Sequence, residues 1–122
     1  MKSLTIATVN VNGIRAAAKV RHENNRGILP WLEATPADVV LMQEVRADEK
    51  QTRAALEPVL GEWHLAQAPA AAKGRAGVAI LSRLPLRDVQ IGFGVEEFSD
   101  SGRYIEATVD AGDLPVRVAS LY

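Results

Sequence analysis

The residue best placed for chemistry in this sequence is Glu44, which follows Gln43 at the end of the apolar run 39–42. Four consecutive apolar residues, two of them β-branched, predict a short strand buried on both faces. In open α/β sheets ligands bind just beyond the carboxyl ends of the strands, where Glu44 stands. A carboxylate there must be paired, solvated or bound to a cation, because burying it unpaired is too costly. Glu44 is therefore a candidate functional acid; the alternative is an exposed loop glutamate.

A second group of polar residues follows the first predicted strand. Residues 4–9 are rich in β-branched side chains and predict a strand. Asn10, Asn12 and Gly13 come next and have the chemistry of a tight turn at a sheet end. Residues 14–20 and 28–34 then favour two helices before the strand that precedes Glu44. This strand–helix–strand order implies a parallel pair of strands with a right-handed crossover.

The rest of the chain predicts one more helix and five more strands. Residues 48–60 favour a helix, with Asp48 as its N-cap and Gly61 as its stop. The predicted strands are 63–68, 77–82, 86–91, 104–109 and 116–121, the last two forming an antiparallel hairpin around a turn at 112–115, and 92–102 is a predicted loop. Because the sequence stops while its pattern is still strand-like, we expect one domain, 1–122, truncated at its C-terminal end.

Composition limits the class of protein. The 122 residues are 48% hydrophobic, which is enough for one globular domain with a real core. A formal net charge of -1 argues against coating nucleic acid by bulk charge, although it allows a local basic patch. The sequence has no cysteine and no apolar run long enough to span a bilayer. These features favour a cytoplasmic protein with no membrane partner.

Five motifs, in this order along the chain, resemble one known family. They read T-V-N-V-N-G-I-R, L-M-Q-E-V-R, G-R-A-G-V-A-I-L-S-R, S-G-R-Y-I-E-A and V-A-S-L-Y. The series is similar to the N-terminal half of the exonuclease III branch of the endonuclease/exonuclease/phosphatase superfamily, the abasic-site endonucleases. The resemblance extends over essentially the whole chain. It implies an α/β fold of the α+β type: the N-terminal half of a deoxyribonuclease I-like two-sheet sandwich with mixed strands and outer helices.

The resemblance also implies a metal-dependent DNA phosphodiester hydrolase of base-excision repair. The activities would be abasic-site endonuclease, 3′-to-5′ exonuclease and 3′-phosphodiesterase, acting on double-stranded DNA with abasic sites or blocked 3′ ends. The full-length protein would be a monomer. Glu44 matches the family's ligand for Mg2+, with Mn2+ as an alternative ion; such a cation keeps several waters and needs only one or two carboxylates. Asn10 matches an asparagine that orients the phosphate and the catalytic carboxylate and is also counted among the metal ligands.

Three further residues match positions that contact the phosphate or the DNA. Tyr122 matches a catalytic tyrosine whose hydroxyl contacts the phosphate at the cleavage site; the alternative is an edge aromatic packed on the sheet. Arg15 matches a contact to the DNA backbone. Asn12 falls where some relatives place an aspartate near the metal, and we group it with the DNA-binding residues. For Asn10 and Asn12 the alternative is ordinary turn capping.

A predicted loop carries the remaining DNA-binding candidates. Gly74, Arg75 and Ala76 match the loop that presses into the minor groove in relatives, many of which have an aromatic residue where Arg75 stands. An arginine also suits a narrow, electronegative groove. Lys73 and Arg103 would add phosphate contacts, with a solvated surface charge as the alternative for each.

Part of the family's catalytic machinery has no counterpart in the sequence. In the family an aspartate in a G-D-x-N motif activates the water, helped by a histidine–aspartate pair near the C-terminus, and these 122 residues contain neither. His22 and His64 match no catalytic position. Hydrolysis needs an activated water as well as a metal, so we expect the 122-residue chain alone to be inactive. Two alternatives remain: another phosphoesterase of the superfamily, or a non-catalytic fragment that docks DNA or a partner.

Overall fold

The computed structural model describes residues 3–72, 74–92, 94 and 101–122. The strands within these residues are β1 (Ile6–Asn10), β2 (Val39–Gln43), β3 (His64–Ala68), β4 (Val78–Ser82), β5 (Leu86–Ile91), β6 (Tyr104–Ala111) and β7 (Leu114–Leu121). The helices are α1 (Ile14–Ala17), α2 (Ile28–Ala34) and α3 (Glu49–Leu56), the last followed by a 3-10 turn at Glu57–Val59. The described helices are at most eight residues long, and none could cross a membrane. The predicted mixed α/β fold with two sheets is confirmed.

The first sheet has the order β1-β2-β4-β3. β1 pairs with β2 in parallel, as the strand–helix–strand order predicted, whereas β4 is antiparallel to both β2 and β3. Alternate residues of the two central strands face opposite layers: Val40 and Met42 pack with buried residues of the helices, and Val39 and Ile80 pack with the second sheet. These strands are apolar at nearly every position because both of their faces are buried.

The second sheet is antiparallel, in the order β5-β6-β7. The hairpin between β6 and β7 has a shorter turn than the sequence predicted, because Ala111 pairs with Leu114 and only two residues remain in the loop. Gly112, the first of them, has φ +67°, the conformation that a type II′ turn requires there. A bulge interrupts β5 between Arg87 and Gln90.

Two predicted helices end earlier than expected. The helix predicted over 14–20 stops at Ala17, where Gly27 crosses so closely that a Cβ would lie 2.7 Å from the carbonyl oxygens of Ala17 and Lys19. The helix predicted over 48–60 begins as expected with an Asp48 cap, but its α-helical part ends at Leu56 because Pro58 cannot donate a backbone hydrogen bond. Most of the predicted loop 92–102 lies outside the described residues.

A buried polar connection joins the two sheets. Ser120 of β7 is fully buried, and its hydroxyl donates to the Met42 carbonyl oxygen at 2.7 Å. The Gln43 amide nitrogen donates to that hydroxyl at 3.1 Å and to the Thr8 hydroxyl at 3.0 Å. Because buried polar groups must find partners, these bonds favour one register of β7 over the ends of β1 and β2.

Ser120→Ala removes both hydrogen bonds of this hydroxyl. We expect the free energy of unfolding to fall by about 1–3 kcal/mol, because the partners lose a buried hydrogen bond. The measurement is urea denaturation of the intact protein, meaning this chain with any sequence that continues it. Ser3→Ala, at an exposed position, is the matched control and should change stability by less than about 0.5 kcal/mol. Equal stability of the two variants would contradict the role of the connection.

Candidate active site

Backbone hydrogen bonds continue the pairing of β1 and β2 past the ends of both strands. The N–H of Val11 donates to the Gln43 carbonyl at 2.9 Å, and the N–H of Gly13 donates to the Glu44 carbonyl at 2.7 Å. The N–H of Ile14 then donates to the Val45 carbonyl at 3.0 Å. The turn after the first strand is therefore held directly against the segment that carries Glu44.

The Glu44 carboxylate is engaged at both oxygens. Asn10 donates from Nδ2 to Oε1 at 2.7 Å, and Arg46 donates from Nη2 to Oε2 at 2.5 Å. The Asn10 Oδ1 accepts the Asn12 backbone N–H at 3.0 Å, which fixes the amide with its NH2 group toward Glu44. Only 16% of the Glu44 side chain is exposed. Asn10 therefore orients this carboxylate directly, and Asn12 assists through its backbone rather than its side chain.

Tyr122 lies in the same site. Its backbone N–H donates to the Arg103 carbonyl at 2.8 Å, and the Arg103 guanidinium carbon lies 5.3 Å from the centre of its ring. Its hydroxyl lies close enough to Glu44 to help lower the pKa of that carboxyl. The structure thus brings Glu44, Asn10 and Tyr122 together from three separate strand ends, and it places Arg103 against the tyrosine ring.

The pKa of Glu44 is lowered below its ordinary value. The hydrogen bond from Asn10 is the largest cause, burial opposes it, and the hydrogen bond and charge of Arg46 lower it further. Hydrogen bonds to the ionised form favour that form over the neutral acid. Glu44 is therefore a carboxylate throughout the neutral pH range, which is the form that a hard cation binds.

Backbone strain concentrates at this site. Among the described residues other than glycine, five have a left-handed φ. One is Glu44 itself (+51°), and three lie around it: Asn12 (+47°), Arg46 (+54°) and Ala76 (+45°). Such conformations are costly for side chains with a Cβ and persist where surrounding contacts enforce them. The enforcing contacts here include the N–H of Arg46 donating to the Ala76 carbonyl at 2.8 Å.

The predicted DNA-binding loop is anchored beside Glu44. The N–H of Val45 donates to the Gly77 carbonyl at 3.0 Å, and the N–H of Gly77 donates to the Gly102 carbonyl at 2.9 Å. Gly74 and Arg75 are exposed at the tip, and Ala76 is half-buried at its base. Lys73 lies outside the described residues. The loop is therefore tied to the strand end while its tip faces solvent.

A basic groove runs along the same edge of the sheet. It is lined by Asn12, Gly13, Arg15, Ala16, Lys19, Arg46 and Gly74. Arg15 lies in this groove, and its Nη2 donates to the Arg46 carbonyl at 3.0 Å. Two cations of this groove, Lys19 and Arg46, were not among the site residues predicted from the sequence. Lys19 follows Arg15 by four residues, a spacing that would have placed it on the same side of the predicted helix. Arg46 gave no such signal, because its contact with Glu44 depends on the left-handed backbone.

The donor set at Glu44 fits a small, hard cation. Glu44 offers a carboxylate, and Mg2+ is commonly held by one or two carboxylates together with waters and phosphate oxygens. The Asn10 amide oxygen accepts the Asn12 N–H, so it would reach the same ion only after the amide group turned over. Across residues 3–72, 74–92, 94 and 101–122, no cluster of three or more His, Cys, Asp or Glu could hold a metal.

Several known proteins are similar to this chain. An exodeoxyribonuclease from Bacillus subtilis (strain 168) is 32% identical over 96 residues, which are 79% of this chain and 34% of the relative. A solved AP endonuclease from Archaeoglobus fulgidus is 31% identical with a TM-score of 0.76, covering 98% of this chain and 41% of that one. The 3′ phosphatase NExo from Neisseria, solved with a product DNA hairpin, is 29% identical with a TM-score of 0.71, covering 98% and 41%.

These comparisons agree with the fold. The chain spans between a third and about two fifths of the length of these relatives. The family model described as "Endonuclease/Exonuclease/phosphatase family" matches residues 7–119. On this match, the chain belongs to the endonuclease/exonuclease/phosphatase family.

Proposed function

We propose that the intact protein is a Mg2+-dependent DNA phosphodiester hydrolase of the exonuclease III type, acting in base-excision repair. Its substrates would be abasic sites and blocked 3′ ends in double-stranded DNA. The observation that carries the proposal is the meeting of Glu44, Asn10 and Tyr122 beside a groove lined by basic side chains. The similarity to an exodeoxyribonuclease and to an AP endonuclease supports it.

Each residue of the site has a role that follows from its contacts. Asn10 holds the Glu44 carboxylate in one orientation and in its ionised form. Glu44 would hold Mg2+, and Asn10 would become a further ligand if its amide group turned over to present its oxygen. The ion, when bound, would stabilise negative charge on the phosphate as a Lewis acid. The Tyr122 hydroxyl would donate a hydrogen bond to a phosphate oxygen beside Glu44.

Basic and backbone groups along the groove would hold the DNA. Arg15 would contact a backbone phosphate, and Asn12 would lie beside it at the wall of the groove. Gly74, Arg75 and Ala76 would approach the minor groove, where the potential attracts an arginine. These contacts position the duplex and carry little sequence information, as suits an enzyme that recognises damage rather than a base sequence.

The water-activating group is the missing part of this mechanism. The sequence contains no G-D-x-N motif, and both histidines lie outside the site described above. We propose that sequence continuing this chain supplies that group, that the 122 residues form one truncated domain which is inactive alone, and that the intact protein is a cytoplasmic monomer.

Glu44→Gln should lower cleavage of an abasic-site duplex by the intact protein by about a hundredfold or more, because the metal loses its carboxylate ligand. The measurement is single-turnover cleavage in saturating Mg2+. Glu49→Gln is the matched control: Glu49 is an exposed surface residue paired with Arg53, and its variant should cleave within roughly twofold of the parent. Equal rates for the Glu44 and Glu49 variants would refute the proposed role of Glu44. Turnover of a soluble phosphoester without duplex cleavage would favour another phosphoesterase of the family.

Asn10→Ala should raise the pKa of Glu44, because it removes the largest cause of the lowered value. In the parent protein the carboxylate stays ionised as the pH falls below its ordinary pKa of 4.5. The stability that this carboxylate contributes is therefore lost only when the pH falls further, through the lowered pKa of the folded state. In the variant, protonation should begin at higher pH. Carboxyl carbon NMR titration measures this shift, and Asn24→Ala, an exposed asparagine, is the control. An unchanged titration curve in Asn10→Ala would contradict the assignment.

Arg75→Gln should weaken duplex binding by a similar factor whatever the DNA sequence. It should also make the plot of the logarithm of the binding constant against the logarithm of the salt concentration less steep, by about 1. The reason is the loss of one cation from the exposed tip of the loop. Fluorescence anisotropy at several salt concentrations measures both quantities, with Arg53→Gln on α3 as the control. A slope identical to that of the control would remove Arg75 from the DNA interface.

A further inference from the structure

We propose that Arg46 is a resident counter-ion for Glu44, which opposes cation binding while DNA is absent and ceases to oppose it when a phosphate arrives. Arg46 would then couple the binding of the metal to the binding of the substrate. This inference rests on the metal site proposed at Glu44, and it assigns to Arg46 a function separate from cleavage.

The ion pair between Arg46 and Glu44 is the first observation. The guanidinium Nη2 donates to Oε2 of Glu44 at 2.5 Å, while Asn10 engages the other carboxylate oxygen. The pair carries no net charge, so much of the attraction that a lone carboxylate would offer to a divalent cation is cancelled. In the described state, a cation approaching Oε2 would meet the guanidinium at close range.

The backbone of Arg46 is fixed, whereas its side chain can move. Its N–H donates to the Ala76 carbonyl at 2.8 Å, and its carbonyl accepts Nη2 of Arg15 at 3.0 Å. Its φ of +54° is held by these contacts. The side chain is nevertheless 44% exposed, whereas that of Glu44 is 16% exposed. A rotation about the side-chain bonds can therefore move the guanidinium away from Glu44 without disturbing the fold.

The basic groove provides a destination for the guanidinium. Arg46 lines this groove together with Arg15 and Lys19, where a DNA backbone would lie under the proposed function. A phosphate offers a guanidinium a bidentate partner at least as good as a single carboxylate oxygen. Its negative charge also offsets the repulsion between Arg46 and a metal on Glu44. Phosphate and metal should therefore each increase the affinity of the other, by the same factor.

The expected size of the effect follows from charge and distance. Two unit charges about 4 Å apart change a binding constant by about fivefold in a water-like dielectric, and a divalent ion doubles the energy. Removing the Arg46 charge should therefore tighten metal binding by about twenty-five-fold, because doubling the energy squares the factor. A merely structural Arg46, one that only holds the Glu44 side chain in place, predicts the opposite sign, because its loss would leave Glu44 less well oriented.

The first test measures metal affinity without DNA. Mn2+ is titrated into the intact protein at low ionic strength, and the unbound ion is followed by electron paramagnetic resonance. Arg46→Gln should bind Mn2+ about twenty-five-fold more tightly than the parent, and Arg46→Asn, which suits the left-handed backbone, should do the same. Arg46→Lys keeps the charge, and Arg53→Gln removes a charge from the exposed Arg53–Glu49 pair on α3, so both should stay close to the parent. Unchanged or weaker Mn2+ binding in both neutral variants would overturn the proposal.

The second test measures coupling to phosphate. The same titrations are repeated with a noncleavable phosphorothioate duplex that carries an abasic-site analogue. DNA should tighten Mn2+ binding by a larger factor in the parent than in Arg46→Gln, because only the parent has a repulsion to relieve. Equal factors would overturn the proposal. Neither readout involves cleavage, so an inactive protein with the expected Mn2+ affinities would refute the proposed function while supporting this inference.

Discussion

The hydrogen bond from the Gly13 N–H to the Glu44 carbonyl, with its neighbours on either side, is the constraint on which the site depends. It extends a parallel strand pair beyond the point where both strands have ended. Two turns that are more than thirty residues apart in the sequence are thereby held at hydrogen-bonding distance. Because backbone groups at a sheet end must find partners, this pairing stabilises the fold and positions the polar side chains at once.

The second sheet brings the third component to the same place. The buried hydroxyl of Ser120 bonds the end of β7 to β2 one residue before Glu44 is reached. Tyr122, two residues further along, is then directed to the carboxylate. The hydrogen bonds of Ser120 therefore join the two sheets and also position Tyr122 in the site. A shift of β7 by one residue would bury a different side chain and would also turn Tyr122 to the other face.

The site departs from local backbone preference more than the rest of the described chain does. Asn12, Glu44, Arg46 and Ala76 all have a left-handed φ, which a hydrogen-bonded frame of neighbouring backbone enforces. Strain of this kind is typical of positions where a side chain must point in an uncommon direction. At Glu44 and Arg46 it makes two residues of one turn face each other, so that a carboxylate meets a guanidinium at the end of the strand.

The sequence by itself determined the order of elements, the parallel crossover and the position of Glu44 and Asn10 at strand ends, because apolar runs, alternation and turn residues are local signals. The motif series pointed to the family that the comparisons show. Helix ends at Ala17 and Leu56, the two-residue hairpin turn and the Ser120 connection were decided by contacts between distant segments. The pairing of Arg46 with Glu44 was likewise decided by contacts between distant segments. It depends on a backbone conformation that neither residue type prefers alone, and only the packed strand ends impose it.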